Sequence, residues 1–285
     1  MFRLRITGGE VADQQAIAAR LRGATVEPAV DAKRGIDLAP ACDAWAILES
    51  RVVDLAAVEK LLAVGKHVLL AADAAISSDW LERLTKAATA GKSRLAICNV
   101  ERYRPSRQLI RQQLDAGKLG EVGLVRVHRW EPQGQEHGDL SKGLPSDLLD
   151  ELDGVLAIVG QPPNAIFAVG QFARTVQIHL GFASGAMALV DYNNGLPTGG
   201  DYQSLSVIGS SGAAYADDHQ NMQLAFRGGQ PTALRTDEGV RGLTAMTQEF
   251  VDAINQNRDL SAGIAQWRQT LAVASSIHQQ LVKGR

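Results

Sequence analysis

What most constrains the fold of this 285-residue chain is a change of rhythm close to residue 100. Up to that point short apolar runs alternate with helical stretches. Residues 2–6, 25–30, 44–48, 67–70 and 95–98 read as strands, the second interrupted by Pro28. Helices are expected over about 11–22, over a segment with Val53, Ala56, Ala57, Val58, Leu61 and Leu62 on one side, and over 80–90. Continuous apolar strands separated by amphipathic helices predict a parallel, doubly wound sheet of the Rossmann type. After a helix over about 106–116 the pattern changes to longer, partly alternating strands at 123–130, 165–172, 175–182, 186–191, 204–208 and 223–226. Ser184-Gly185 and Ser211-Gly212 supply turn signals between them. That describes a large open, mainly antiparallel sheet. Helices near 243–255 and 267–283 finish the chain. The expectation is an α/β protein: a Rossmann-type domain over residues 1–100, then an α+β domain over 101–285.

Composition closes off several function classes. At 45% hydrophobic and 21% charged residues, the chain has the make-up of an ordinary globular protein with material for a large core. A formal net charge of −2 gives no electrostatic case for nucleic acid or an anionic membrane surface. Cys42 and Cys98 fit no metal spacing and sit in apolar contexts, which reads as buried thiols in a reducing compartment. With no apolar h-region at the start and no run of roughly 20 apolar residues, the expected location is the cytoplasm.

The local sequence is more specific than the pattern. Gly65-Lys66-His67-Val68-Leu69 resembles the "G-K-H-V-L-x-E-K-P" segment of the glucose–fructose oxidoreductase and inositol dehydrogenase family (Gfo/Idh/MocA). Further similar segments follow in the family's order. Asn99 to Pro105 resembles "N-x-R-F-x-P", and Asp115 to Val122 resembles "S-G-x-L-G-x-V". Ser206 to Gly212 is similar to "V-x-G-x-x-G", and Glu249 to Ile254 to the penultimate helix. The resemblance covers nearly the whole chain. It implies an NAD(P)-binding Rossmann domain and a second domain whose broad sheet makes oligomer contacts on one face and borders a small-molecule substrate on the other.

Hydride transfer needs a cradle for the pyrophosphate, a group for the adenosine ribose, and an acid/base device at the carbinol. The cradle, usually G-x-G-x-x-G/A, reads here as Thr7-Gly8-Gly9-Glu10-Val11-Ala12. Gly9 and Ala12 match, Thr7 replaces the first glycine, and Glu10 brings a carboxylate that repels phosphate. The same six residues also read as a plain helix-entry turn with no ligand. Asp31 stands where a ribose-binding acid belongs. Yet only eleven residues, Ala32 to Cys42, lead from it to the next strand, so one strand–helix unit of the family is missing. Asp31 is equally readable as the first residue of a loop.

For the acid/base device, the resemblance implies a lysine, an aspartate and a histidine. Ungapped alignment from Gly65 puts Ala72 at the lysine, and counting back from Gly160 puts Ser146 at the aspartate and Asp150 at the histidine. Glu49-Ser50 and Asp54 stand at the family's Thr-Pro and following histidine. With these three replacements no base near neutral pH stands in its usual place. The leading expectation is therefore a catalytically degenerate homologue, a pseudoenzyme kept for binding or assembly as a homo-oligomer or with an active paralogue. One alternative is an active NAD- or NADP-dependent oxidoreductase with relocated groups, for which Asp150, Asp153 and His128 are the candidates. Another is a lyase or isomerase using the acidic run Asp147, Asp150, Glu151 and Asp153, as an acid/base pair or part of a hard-cation site. The plain reading of that run is acids stabilising a helix N-terminus. His128 and His137 flank a loop that the resemblance places near the substrate, and both also read as solvated. No dedicated metal set is apparent.

Overall fold

The computed structural model describes residues 2–27, 42–133, 143–171, 174–197, 200, 202–217, 222–225, 232–235 and 238–283. The chain divides into two compact units, Met1–Tyr103 with Gly239–Arg268, and Arg104–Glu238 with Gln269–Arg285. Asp31 and His137 lie outside the described residues.

The first unit is built on five parallel strands in the order β2-β1-β3-β4-β5: β1 (Phe2–Thr7), β2 (Ala24–Val26), β3 (Ala44–Ile47), β4 (His67–Ala71) and β5 (Leu95–Cys98). The central strands are sandwiched on both faces, which is why β3 and β4 are almost wholly apolar: Ala44, Ala46, Ile47, Val68, Leu69 and Leu70 are fully buried. Helices α1 (Val11–Ala18), α2 (Leu55–Ala63) and α3 (Ser78–Gly91) connect them. The side chain of Asp54 accepts the Ala56 N–H and Ser77 accepts the Trp80 N–H, so each starts its helix as an N-cap. Helix α6 (Glu238–Asn255) belongs to this unit from Gly239 onward. Its Met246, Phe250 and Val251 join Leu4, Ile6, Ile17 and Leu69 in one apolar core.

Helix α1 ends at Ala18, four residues before its expected end at Arg22. Arg20 and Leu21 turn back onto the Ile17 carbonyl, and α6 takes over the backbone beyond. Gln248 receives the Arg22 N–H, and Asn255 donates to the Gly23 carbonyl.

The second unit opens with α4 (Pro105–Asp115) and is dominated by a six-stranded sheet in the order β11-β10-β6-β9-β8-β7. Its strands are β6 (Val122–Pro132), β7 (Pro163–Gln171), β8 (Thr175–Phe182), β9 (Met187–Leu196), β10 (Tyr202–Gly209) and β11 (Ala213–Asp217). Only the central β6–β9 pair is parallel. The expected strand near 223–226 forms as β12 (Met222–Ala225), but it pairs with β13 (Thr232–Arg235) in a separate ribbon. Helix α5 (Ser146–Val159) packs over β6 and β9 and ends at Gly160 in the left-handed conformation. The last helix, α7 (Ser261–Lys283), starts in the first unit and finishes in the second.

Pairing register sorts the broad sheet into two faces. One row, Ala168, Ile178, Val190, Val127, Leu205 and Ala216, is buried. The neighbouring row on the opposite face, Phe167, His179, Leu189, Arg126, Ser206 and Tyr215, is largely open. Among the described residues no helix is long and apolar enough to cross a membrane.

Candidate functional site

In the first unit the strand order reverses at β1, with β2 on one side and β3 on the other, so the connections leaving β1 and β3 diverge over the carboxyl edge. Open parallel sheets bind ligands at such a switch point. Thr7 closes β1 and is buried; Gly8 and Gly9 follow at φ +85° and +71°. These are left-handed conformations that favour glycine. A Cβ on Gly8 would also lie 2.7 Å from the Glu49 backbone nitrogen, so the turn is pressed against the segment leaving β3. From the buried side, Gln14 Nε2 donates to the Gly8 and Gly9 carbonyls at 3.2 and 3.4 Å. On the open side the Gly9 N–H donates to Glu49 Oε2 at 3.3 Å, and Arg51 Nε meets Glu49 Oε1 at 2.6 Å. Glu10, Val11 and Ala12 are exposed, and Glu10 makes no side-chain cap of α1.

This geometry tests the coenzyme the turn implies. The Gly9 N–H, one of the backbone donors open to a diphosphate at such a turn, is already given to a carboxylate, with Glu10 next in sequence. Further along the same edge, Ala72 follows β4 and donates its N–H to the Cys98 carbonyl at 2.8 Å. Asp73 accepts the Ala75 N–H at 2.8 Å, and buried Ser50 donates its hydroxyl to the Ala71 carbonyl. The position where the resemblance expects a lysine presents a methyl group.

The second unit holds a different kind of polar site. One cross-strand row on the core face of the broad sheet ends in Tyr192, Arg129 and Gln203, directly opposite one another on β9, β6 and β10. Above them lies the start of α5. Glu151, 4% exposed, receives Gln203 Nε2 at 2.6 Å, Arg107 Nη2 at 3.4 Å and Arg129 Nη1 at 3.8 Å, all on Oε1. Arg129 also pairs with Glu131 and, at 3.8 Å, with Asp147. Arg104 Nη1 reaches Gln203 Oε1 at 3.3 Å. Burial, with Asp147 and Glu131 adding to it, pushes the Tyr192 phenol well above its ordinary range. The result is a desolvated network in which each charge is held by an opposite one.

The network reorders the expected site residues. Asp153 is 2% exposed and accepts the Thr270 hydroxyl at 3.1 Å, a core hydrogen bond. Asp147 and Glu151 are engaged by arginines, and Asp150 and Ser146 are half-buried on the first turns of α5. Strand alternation puts His128 on the face opposite Arg129, away from α5. There it lies 3.1 Å from the Ser204 hydroxyl and edge-on to Trp130 at 5.7 Å. His128 and Asp150 are thus on opposite sides of the sheet. Among the described residues no group of three or more His, Cys, Asp or Glu is arranged to hold a metal ion.

Sequence reasoning passed over Arg107, Arg129, Glu131 and Gln203. Signals existed for Arg129 and Glu131, and for the burial of Glu151. Arg129 and Glu131 continue the core-facing alternation of Val125 and Val127, and Glu151 interrupts the apolar stripe Leu148, Leu152, Val155. At the amino edge of the first unit, a cavity of about 460 Å³ is lined by Thr85, Lys92, Arg94, Asn257, Asp259 and Leu260 among others. That is the edge opposite the switch point, and Arg94 is committed there to the Arg258 carbonyl and the Asn257 side chain.

No protein-family model and no curated protein matches the sequence. Solved structures do. A probable dehydrogenase from Thermotoga maritima superposes with a TM-score of 0.81 at 15% identity, over 99% of this chain and 97% of that one. Scyllo-inositol dehydrogenase from Lactobacillus casei, solved with NAD(H) and scyllo-inositol, gives 0.76 at 16% identity over 100% and 98%. An oxidoreductase from Agrobacterium radiobacter, solved with NAD+, L-tartaric acid and magnesium, gives 0.77 at 16% over 100% and 97%. At these identities the likeness is one of fold: this chain has, end to end, the two-domain fold of inositol dehydrogenases and related oxidoreductases.

Proposed function

We propose that this chain is a member of the Gfo/Idh/MocA oxidoreductases that has lost hydride-transfer chemistry and serves in ligand binding and assembly. The observation that supports this best is the set of side chains at the three acid/base positions. Ala72 ends the carboxyl edge of β4 with a methyl group, while Ser146 and Asp150 sit on the first turns of α5. A general base must titrate near the working pH and reach the proton it removes, and neither an alanine nor a serine in these places supplies one. The acids nearest Asp150 in the run are spent on structure: Glu151 and Asp147 on arginines, Asp153 on Thr270.

The assembly half of the reading rests on the open face of the broad sheet. Phe167, Val169, Met187, Ile208 and Tyr215, on that face, are 40–71% exposed. Side chains of this kind on one broad sheet face support a homo-oligomer, or a complex with an active paralogue, through that face.

The decisive experiment incubates purified protein with NADH, NADPH, NAD+ or NADP+ and a panel of sugars, polyols and hydroxy acids. The expected result is no turnover above the protein-free rate with any pair, together with a light-scattering mass above that of one chain. Reproducible turnover with any panel member overturns the loss of chemistry; a monomeric mass overturns the homo-oligomer. A second reading, an active NAD(P)-dependent oxidoreductase with relocated groups, draws support from the coenzyme-bound neighbours, and the same panel decides for or against it.

A further inference from the structure

We infer that Glu49 is an internal occupant of the diphosphate cradle, and that its carboxylate is what keeps this chain from holding a dinucleotide. The inference rests on reading the first unit as a dinucleotide-binding fold, and goes beyond the loss of acid/base groups because it concerns binding alone.

In this fold the backbone N–H groups of the first turn, with the dipole of the helix behind them, form an anion site. Here an anion is supplied by the chain itself. Glu49 Oε2 takes the Gly9 N–H at 3.3 Å, and Oε1 is held by Arg51 at 2.6 Å. The position is built in, because the main chain at Glu49 is packed against the turn. A Cβ added to Gly8 would stand 2.7 Å from the Glu49 nitrogen and 3.0 Å from its Cβ. Gln14 pins the turn from the buried side through both glycine carbonyls. Gly8 therefore serves the chain's own close contact, whereas at Gly9 an added Cβ would meet nothing within 4 Å.

An incoming diphosphate must displace the carboxylate from its donor and then stand beside it. The Glu49 side chain is 28% exposed, so water screens that repulsion only in part. Glu10, exposed at the start of α1, adds a second negative charge next to Gly9 in the chain. Arg51 is 59% exposed and already bound to Glu49, so it compensates the carboxylate before any ligand arrives.

The test is calorimetric titration of the full-length protein with NAD+, NADP+ and ADP-ribose. Wild type is compared with Glu49→Gln, Glu49→Ser and Glu10→Gln, and thermal melts establish that each variant is folded. Glu49→Gln keeps an acceptor for the Gly9 N–H while removing the charge; Glu49→Ser removes charge and bulk together. The expected result is no saturable binding by wild type up to about millimolar ligand, and a gain of about tenfold or more for Glu49→Gln. Glu49→Ser is expected to gain more, and Glu10→Gln less than Glu49→Gln.

Wild-type binding tighter than about 0.1 mM overturns the inference, and so does a Glu49→Ser protein that binds no better than wild type. The outcomes separate from those of the proposed function. Wild-type binding without turnover sinks only this inference. Turnover by Glu49→Ser but not by wild type upholds it and sinks the claim that the proton-handling groups are gone.

Discussion

Glu49 and Glu151 are both carboxylates facing arginine, yet they stand in opposite circumstances. Glu151 is 4% exposed and collects Arg107, Arg129 and Gln203 on a single oxygen; Glu49 is 28% exposed and divides its two oxygens between Arg51 and one backbone N–H. A carboxylate taken out of water must be matched charge for charge, because its desolvation is large and removing one partner strands the others. One left partly in water adds little to folding, which leaves it available to influence what the turn beside it accepts. The difference teaches where this chain's polar residues serve the fold and where they serve discrimination. The network of the second unit belongs to the first kind, the turn of the first unit to the second.

The largest test of that contrast is to delete each carboxylate. Glu151→Ala leaves two arginine side chains buried against a missing charge and is expected to cost about 3–5 kcal/mol of stability. Glu49→Ala removes a partly exposed pair and is expected to cost about 0–1 kcal/mol. Urea midpoints of the two variants measure both. Similar losses would erase the distinction.

A smaller effect sharpens the description of the turn itself. Gly8 and Gly9 share a left-handed backbone, so an alanine at either carries conformational strain, of order 1 kcal/mol. Only Gly8 also faces backbone at 2.7 Å. Gly8→Ala should therefore destabilise by about 2–3 kcal/mol and Gly9→Ala by about 1 kcal/mol. Equal losses would mean that the segment at Glu49 is not pressed against the turn, and would weaken the case that its side chain is fixed there.

What the sequence disclosed divides along a similar line. Strands β3, β4 and β5 are legible because burial on both faces demands unbroken apolar runs, and runs such as Val68-Leu69-Leu70 have no other economical reading. The early end of α1 is not legible, because the side chains that hold the backbone beyond it, Gln248 on Arg22 and Asn255 on Gly23, come from more than 220 positions away. For the same reason the contact between Gly9 and Glu49, forty residues apart, leaves no local mark. The buried network is an intermediate case. Glu151 in an apolar stripe announces a buried charge, but nothing in the sequence names Arg107 and Gln203 as its partners. Residue 223 illustrates the limit: its strand is legible, its pairing is not, and β12 joins β13 in a ribbon outside the broad sheet.

His67 offers the smallest test, because it too is only partly buried. It opens β4 half-buried, and its Nδ1 accepts the Arg94 N–H at 3.0 Å. Burial, and then the Arg94 charge, hold its pKa below the usual histidine value, with Asp43 opposing them. The sign follows from linkage. Above about pH 6.5, the value expected in the unfolded chain, folded and unfolded forms bind no proton at this site, and its contribution is fully present. As pH falls below 6.5 the unfolded chain takes up the proton while folded His67 resists it. Stability therefore declines from that point down to the lowered folded value. Protonation there also removes the lone pair that receives the Arg94 N–H. His67→Gln keeps an acceptor without a titration, so its denaturation midpoint between pH 7 and 5 should fall less steeply than that of wild type. Parallel pH profiles for the two proteins would show that partial burial at a strand end confers no linkage of its own.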